Sequence, residues 1–375
     1  MKYSKFGNTG VNISKLGFGC MRFPMIKVNG KDVVDEEKTI EMLLRAYELG
    51  VNYYDTAYFY CEDQSESVVG KALKGIRDKV IVSTKSPGHL IKKEGDYRRI
   101  LEEQLLRLDM DYVDFYHFHG IGYNGFLDID KKARWLSEAY KAKEEGLIKH
   151  ICFSFHDEPE SMKKLVDLGI FESVLCQYNA IDRSNEEAIS YAKSKGLGVV
   201  VMGPVGGGRV SGLPRDVADK LGIKVNSSAE LALRFVLSNP DIDCALSGMS
   251  NIQMLEENCN TASNSDPLSD SEVKAINRMM EENKKLSQLY CTGCAYCMPC
   301  PKEVNIPHIF QMMNYHKVYG ISEYARNGYA EIGTNQWVPG KRADACTECG
   351  ICETKCPQKL QIRDQLKDCH NTLSI

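Results

Sequence analysis

"GPVGGGRVSG", residues 203–212, places five glycines in ten positions. Glycine runs of this kind let a backbone approach a phosphate closely, and where the run falls separates two α/β folds. In a doubly wound dinucleotide-binding sheet the fingerprint G-x-G-x-x-G follows the first strand and opens a helix. Here the run follows "GLGVVVM" (196–202), the seventh strand-like stretch, and its spacing does not match. In a (β/α)₈ barrel the loops after strands seven and eight build the phosphate site. The position of the run therefore favours the barrel.

The flanking sequence agrees. Upstream lie "KLGFGCM" (15–21), "VNYYDTA" (51–57), "KVIVSTK" (79–85), "YVDFYHFH" (112–119), "KHICFSF" (149–155) and "SVLCQY" (173–178), and downstream lies "CALSGM" (244–249). These β-branched and aromatic runs alternate with amphipathic patterns such as "DEEKTIEMLLRAYEL" (35–49), "YRRILEEQLLRL" (97–108), "RWLSEAYKAKEEG" (134–146), "PESMKKLVDL" (159–168), "SNEEAISYAKSK" (184–195) and "SSAELALRFVLS" (227–238). Apolar residues recur there at three- and four-residue steps. Eight such units in about 260 residues fit one TIM barrel. Residues 267–290 predict an exposed, charged helix leading out of it. The expected division is a barrel over 1–285 and a smaller, mostly α-helical domain over 286–375.

Composition narrows the function. With 375 residues and 43% hydrophobic residues the chain can bury a large core; its net charge of −4 offers no basic field for nucleic acid or an anionic membrane. No apolar run approaches the ~20 residues of a membrane helix. The N-terminus lacks an apolar signal core, so a cytoplasmic location is expected. Six of the 15 cysteines are scattered before residue 291, several inside strand-like runs, and read as buried thiols; nine crowd the last 85 residues. Clustered cysteines in an intracellular chain point to a metal site.

Catalytic groups of a barrel enzyme sit at the C-terminal ends of its strands. Asp55 ends the second strand-like run, with Tyr60 in the loop beyond; Lys85 ends the third and His119 the fourth. The set has chemical logic. Hydride reduction of a carbonyl needs a proton at oxygen, which a tyrosine can give. A lysine ammonium lowers the tyrosine's pKa, a carboxylate fixes the lysine, and a histidine orients the substrate oxygen. His117 shares the parity of His119 and reads as a hydrogen-bonded core histidine or a proton relay.

On these residues the sequence resembles the aldo-keto reductase family. The matching motifs are "DTAYFY" (55–60), "VSTK" (82–85), "DYVDFYHFH" (111–119), "SGMSNIQMLEEN" (247–258), and an opening "MKYSKFGNTGVNISKLGFGCMR" similar to that family's N-terminal hairpin and first strand. The resemblance implies an NAD(P)-dependent carbonyl reductase. It makes Tyr60 the proton donor, tuned by Lys85 and Asp55, with His119 orienting the substrate. It also implies Ser154 and Gln177 beside the nicotinamide, and Gly206, Gly207, Ser247, Gly248 and Ser250 along the pyrophosphate and adenosine. Gly248 and Met254 stand where NADP-preferring members often carry Lys and Arg, so the choice of NADP or NAD stays open.

The tail holds two runs: Cys291, Cys294, Cys297 and Cys300 before Pro301, and Cys346, Cys349, Cys352 and Cys356 before Pro357. The second matches the C-x₂-C-x₂-C-x₃-C-P run of [4Fe–4S] ferredoxins; the first is one residue shorter before its last cysteine. Zinc more usually takes two separated C-x₂-C pairs. By resemblance to two-cluster ferredoxins the last cysteine of each run serves the other cluster. One set is then Cys291, Cys294, Cys297 and Cys356, the other Cys346, Cys349, Cys352 and Cys300. The whole chain resembles reductase–ferredoxin fusions common in anaerobes. Nicotinamide passes two electrons as hydride and each cluster passes one, and no flavin motif bridges the difference. Three readings follow: a carbonyl reductase with structural or relaying clusters, a ferredoxin-linked reductase driven through the clusters, or a nucleotide-binding redox sensor.

Overall fold

The computed structural model describes residues 1–180, 182–205, 222–288, 297–317, 320–356 and 360–374, with the side chains of 280–288 excepted. Gly206 and Gly207 of the glycine run, and Cys291 and Cys294, lie outside the described residues. The chain falls into two compact units, one of Met1–Gly207 with Ala229–Ser269, the other of Gly208–Ser228 with Asp270–Ile375.

The first unit is the expected barrel. Strands β1 (Tyr3–Lys5) and β2 (Asn12–Ser14) pair antiparallel. The barrel itself closes from β3 (Leu16–Gly19), β6 (Tyr53–Asp55), β7 (Ile81–Pro87), β8 (Val113–Ile121), β9 (Ile148–Phe155), β10 (Ser173–Gln177), β11 (Gly198–Met202) and β12 (Cys244–Ser247), each parallel to its neighbours. Between β3 and the first helix a short hairpin, β4 (Met25–Val28) and β5 (Lys31–Val34), is an addition the sequence pattern did not announce.

Strand parity sorts the barrel interior into layers. Tyr53, Ile81, Phe115, Cys152, Leu175, Val200 and Cys244 form an apolar cluster, and Phe6, beyond β1, joins it. The Phe6 ring lies 5.0 Å from Phe115 and 6.3 Å from Tyr53, edge to face. Two residues further along the same strands the inward positions are polar: Asp55, Ser83 and His117. The apolar layer fills one end, and the polar layer above it floors the site.

Helices pack around the barrel: α1 (Glu36–Glu48), α2 (Ser65–Leu73), α3 (Asp96–Leu108), α4 (Tyr123–Ala133), α5 (Trp135–Glu144), α6 (Pro159–Asp167), α7 (Glu186–Ser194), α8 (Ser228–Leu237) and α9 (Ile252–Asn264). Their buried faces follow the helical period, as with Thr39, Met42, Leu43 and Ala46 on α1, whose first turn is capped by the Asp35 side chain accepting from the Lys38 amide.

The second unit is helical, as expected, with α10 (Asp270–Gln288), α11 (Ile306–Lys317), α12 (Ser322–Ala330), α13 (Ile351–Lys355) and α14 (Ile362–Leu373). Ile362, Leu366, Cys369 and Leu373 face Ile306, Ile309, Phe310 and Met313 in one core. Gly328 on α12 lets the helix approach Met312, whose sulfur would lie 2.3 Å from an added Cβ. No described helix is long and apolar enough to cross a membrane.

Candidate active site and cysteine cavity

Three successive strands bring the reactive groups together. The Lys85 ammonium, 1% exposed, donates to Asp55 Oδ1 at 2.5 Å and to the Thr56 carbonyl at 2.7 Å. It lies 4.8 Å from the centroid of the Tyr60 ring. The Tyr60 and His119 rings meet edge to face at 6.4 Å. The four side chains assigned to catalysis from sequence thus occupy one place at the C-terminal end of the barrel. The turn carrying Tyr60 is unusual, because Cys61, Glu62 and Asp63 all have positive φ (53°, 54° and 63°). Side chains other than glycine rarely adopt this region in succession. Behind the turn, the Ser65 hydroxyl donates to the Cys20 carbonyl at 2.9 Å and lies 2.8 Å from Thr56 Oγ1.

Burial sets the electrostatics. It opposes the charge of Lys85, but Asp55 and Tyr60 outweigh it and hold the ammonium pKa above its ordinary value. Burial raises the Tyr60 phenol above its ordinary value; Lys85 pulls it down and Asp55 pushes it up. The pull of the lysine is legible in the sequence; burial, which is not, makes the net shift upward. Burial, then Lys85, His156 and His89, lower His119 to about 3, so it is a neutral imidazole at pH 7.

The described positions assigned to a nucleotide, Ser154, Gln177, Ser247, Gly248 and Ser250, lie on β9, β10 and β12 and just beyond them. Ser154 is buried on β9, its hydroxyl accepting from the Gly120 amide at 2.7 Å. Gln177 ends β10, pressed by Gly203, where a Cβ would come within 2.6 Å of its amide. The buried Ser247 hydroxyl accepts from Asn258 Nδ2 at 3.2 Å. Ser250 is exposed and approaches Met254, and Asn251 caps α9 by accepting from the Met254 amide at 2.8 Å. A small-residue stretch running into a capped helix start suits a phosphate. Arg22 joins these positions only in the folded chain. This exposed arginine, just past β3, lays its stem over Gly248, where a Cβ would meet its Cδ at 3.1 Å. It sits beside one of the two positions that lack a cation, and a separation of over 200 residues from Gly248 hides it in the sequence.

In the second unit Cys300, Cys346, Cys349 and Cys352 line one cavity, together with Cys297 and the basic side chains Lys302 and Arg363. Among the described residues no group of His, Cys, Asp and Glu converges as a single-ion site. Cysteines that ring a cavity without meeting at a point fit a polynuclear cluster. The last cysteine of the first run lies with the first three of the second, and Cys297 of the first run lines the same cavity. Cys356 follows α13 and packs against the core.

Comparison with known proteins agrees with both units. The aldo/keto reductase family profile matches residues 15–224, and a 4Fe-4S dicluster domain matches residues 290–361. An L-galactose dehydrogenase of Arabidopsis thaliana is 31% identical over 280 residues, covering 67% of this chain and 85% of that protein. An NADH-specific methylglyoxal reductase of Escherichia coli is 27% identical over 328 residues, covering 75% and 99%. Among solved structures, the holo form of the aldo-keto reductase AKR11C1 from Bacillus halodurans is similar with a TM-score of 0.62 at 28% identity, covering 74% of this chain and 96% of that one.

Proposed function

The chain belongs to the aldo/keto reductase family and carries a 4Fe-4S dicluster domain, and on that premise we propose that it reduces a small carbonyl compound, with Tyr60 as the proton donor. A bound NAD(P)H supplies the hydride. The residues of the chain do the rest. Tyr60, kept protonated at neutral pH by burial, gives its proton to the carbonyl oxygen as the alcohol forms. Lys85 stabilises the phenolate left behind, and Asp55 holds Lys85 in place. Neutral His119 donates an N–H to the same oxygen and fixes which carbonyl face is presented. Ser154 and Gln177 would flank the nicotinamide, and Ser247, Gly248 and Ser250 would hold the phosphates. Arg22 would add a cation beside Gly248.

The observation that carries this reading is the convergence of Asp55, Lys85, Tyr60 and His119 at one barrel end. The test is anaerobic oxidation of NADH and NADPH against a panel of aldehydes and ketones. Tyr60→Phe should cut kcat by about a thousandfold; undiminished turnover in that variant would refute the role of Tyr60.

A second reading gives the clusters a part in turnover, as relays from ferredoxin or another redox partner. The cavity ringed by cysteines from both runs supports it, because shared ligation places two clusters near each other. Reduced viologen driving carbonyl reduction without nicotinamide would favour this relay. Nucleotide binding with no turnover on any substrate would favour a redox sensor instead.

A further inference from the structure

His117 and Ser83 lie beneath the reactive groups and take no part in the chemistry described above. His117 is fully buried on β8, in register with Lys85 on β7. Its Nδ1 is 3.3 Å from Ser83 Oγ, and Ser83 Oγ is 2.7 Å from Asp55 Oδ2. Asp55 Oδ1 receives the Lys85 ammonium.

Proton counting fixes the direction of this chain. A carboxylate accepts only, so the single hydroxyl proton of Ser83 goes to Asp55. Ser83 Oγ can then only accept from His117, and Nδ1 must carry the ring proton. That leaves Nε2 as a bare acceptor, and it is buried with no hydrogen-bond partner. Burial and the neighbouring Lys85 charge keep the ring neutral, which preserves this tautomer.

From this geometry we infer that His117 and Ser83 are positioning residues: the donor chain His117 Nδ1–H to Ser83 Oγ–H to Asp55 Oδ2 holds the carboxylate against Lys85 and sets how readily Tyr60 ionises. Two effects act in the same direction. Donors to Asp55 neutralise part of its charge, and that charge disfavours the Tyr60 phenolate. A fixed carboxylate also keeps Lys85 on the Tyr60 ring. Removing the chain therefore makes Tyr60 harder to ionise. The other titratable groups facing Tyr60 are Cys20, beyond β3, and His119 on β8, and Tyr53 on β6 faces Ser83 and Asp55 from the layer below.

The inference rests on the reading of Tyr60 as the proton donor, and the test separates the two. Tyr60 is replaced by a tyrosine fluorinated at both ring positions beside the hydroxyl, which ionises within the stable pH range. Its titration is followed by ¹⁹F NMR in the full chain, without substrate. Ser83→Ala and His117→Leu should each raise the ionisation midpoint by on the order of half to one pH unit. His117→Asn, which can present an N–H where Nδ1 stood, should return it towards the parent value. A midpoint unmoved in folded Ser83→Ala, or His117→Asn behaving as His117→Leu, overturns the inference; if one buried substitution fails to fold, the other decides. A parent chain that turns over no carbonyl would defeat the reductase reading while leaving this titration intact.

Discussion

Arg22 and His119 show at the residue scale what the barrel rim does to a side chain. Arg22 is exposed and lies over Gly248, at the end of the site proposed for the phosphates. Arg22→Ala should raise the Kd for the preferred nucleotide about tenfold, by calorimetry or fluorescence titration, while kcat at saturation stays unchanged. Neutral His119 affects stability. An unfolded histidine takes up a proton near pH 6.5, whereas folded His119 waits until about 3. Between those values the unfolded state binds more protons, so stability falls as pH drops through that window, by at most about 1.4 kcal/mol per pH unit. His119→Asn should flatten this slope in urea titrations at pH 7 and pH 5. His117, also held neutral by burial, contributes with the same sign. The roles proposed for Tyr60, Lys85 and Asp55 are legible because a family motif marks each. Arg22 and Ser83 were not, since an arginine in a loop and a serine in a strand carry no signal until their neighbours are known.

Among the elements, α2 and α4 escaped the sequence pattern for different reasons. Helix α2 is buried nearly all round, with Ser65, Glu66, Val68, Val69, Gly70, Ala72 and Leu73 inside, so it has no amphipathic alternation to read. Its paired valines and its glycine also argue against a helix locally. Packing overrides that preference, and Gly70 shows how. A Cβ at Gly70 would stand 2.1 Å from the carbonyl oxygen of Leu108, at the end of α3. Gly70→Ala should therefore destabilise the barrel by about 2–3 kcal/mol, seen as a lowered Tm, although alanine is the better helix former. Helix α4 begins after Gly122, where a Cβ would fall 2.0 Å from Asp157 Oδ2. Its opening "GYNG" reads as a turn. Helices with one wet face, such as α1, α3 and α6, were predicted close to their observed ends.

For the whole molecule, an aldo/keto reductase domain is joined to a 4Fe-4S dicluster domain, and the cysteine cavity offers a test of the second. If each run lends its last cysteine to the other cluster, Cys300→Ser should weaken the cluster held by Cys346, Cys349 and Cys352, lowering iron from about eight towards four per chain. Iron and sulfide analysis with anaerobic EPR checks this, and full retention of both clusters would refute the crossed assignment. The barrel order, the proposed catalytic set and the cysteine runs are legible in the sequence alone. Each is carried by local periodicity or by motif spacing, which survive without three-dimensional contacts. The tertiary structure decided the rest. It reversed the net shift on Tyr60, because desolvation depends on everything packed around the ring. It brought Arg22 to Gly248 and Cys300 to the second cysteine run, because barrel closure and helix packing join residues that the chain keeps far apart. It also fixed the proton on His117, because a tautomer follows from its hydrogen-bond partners, and Ser83 and Asp55 meet His117 only in the folded barrel.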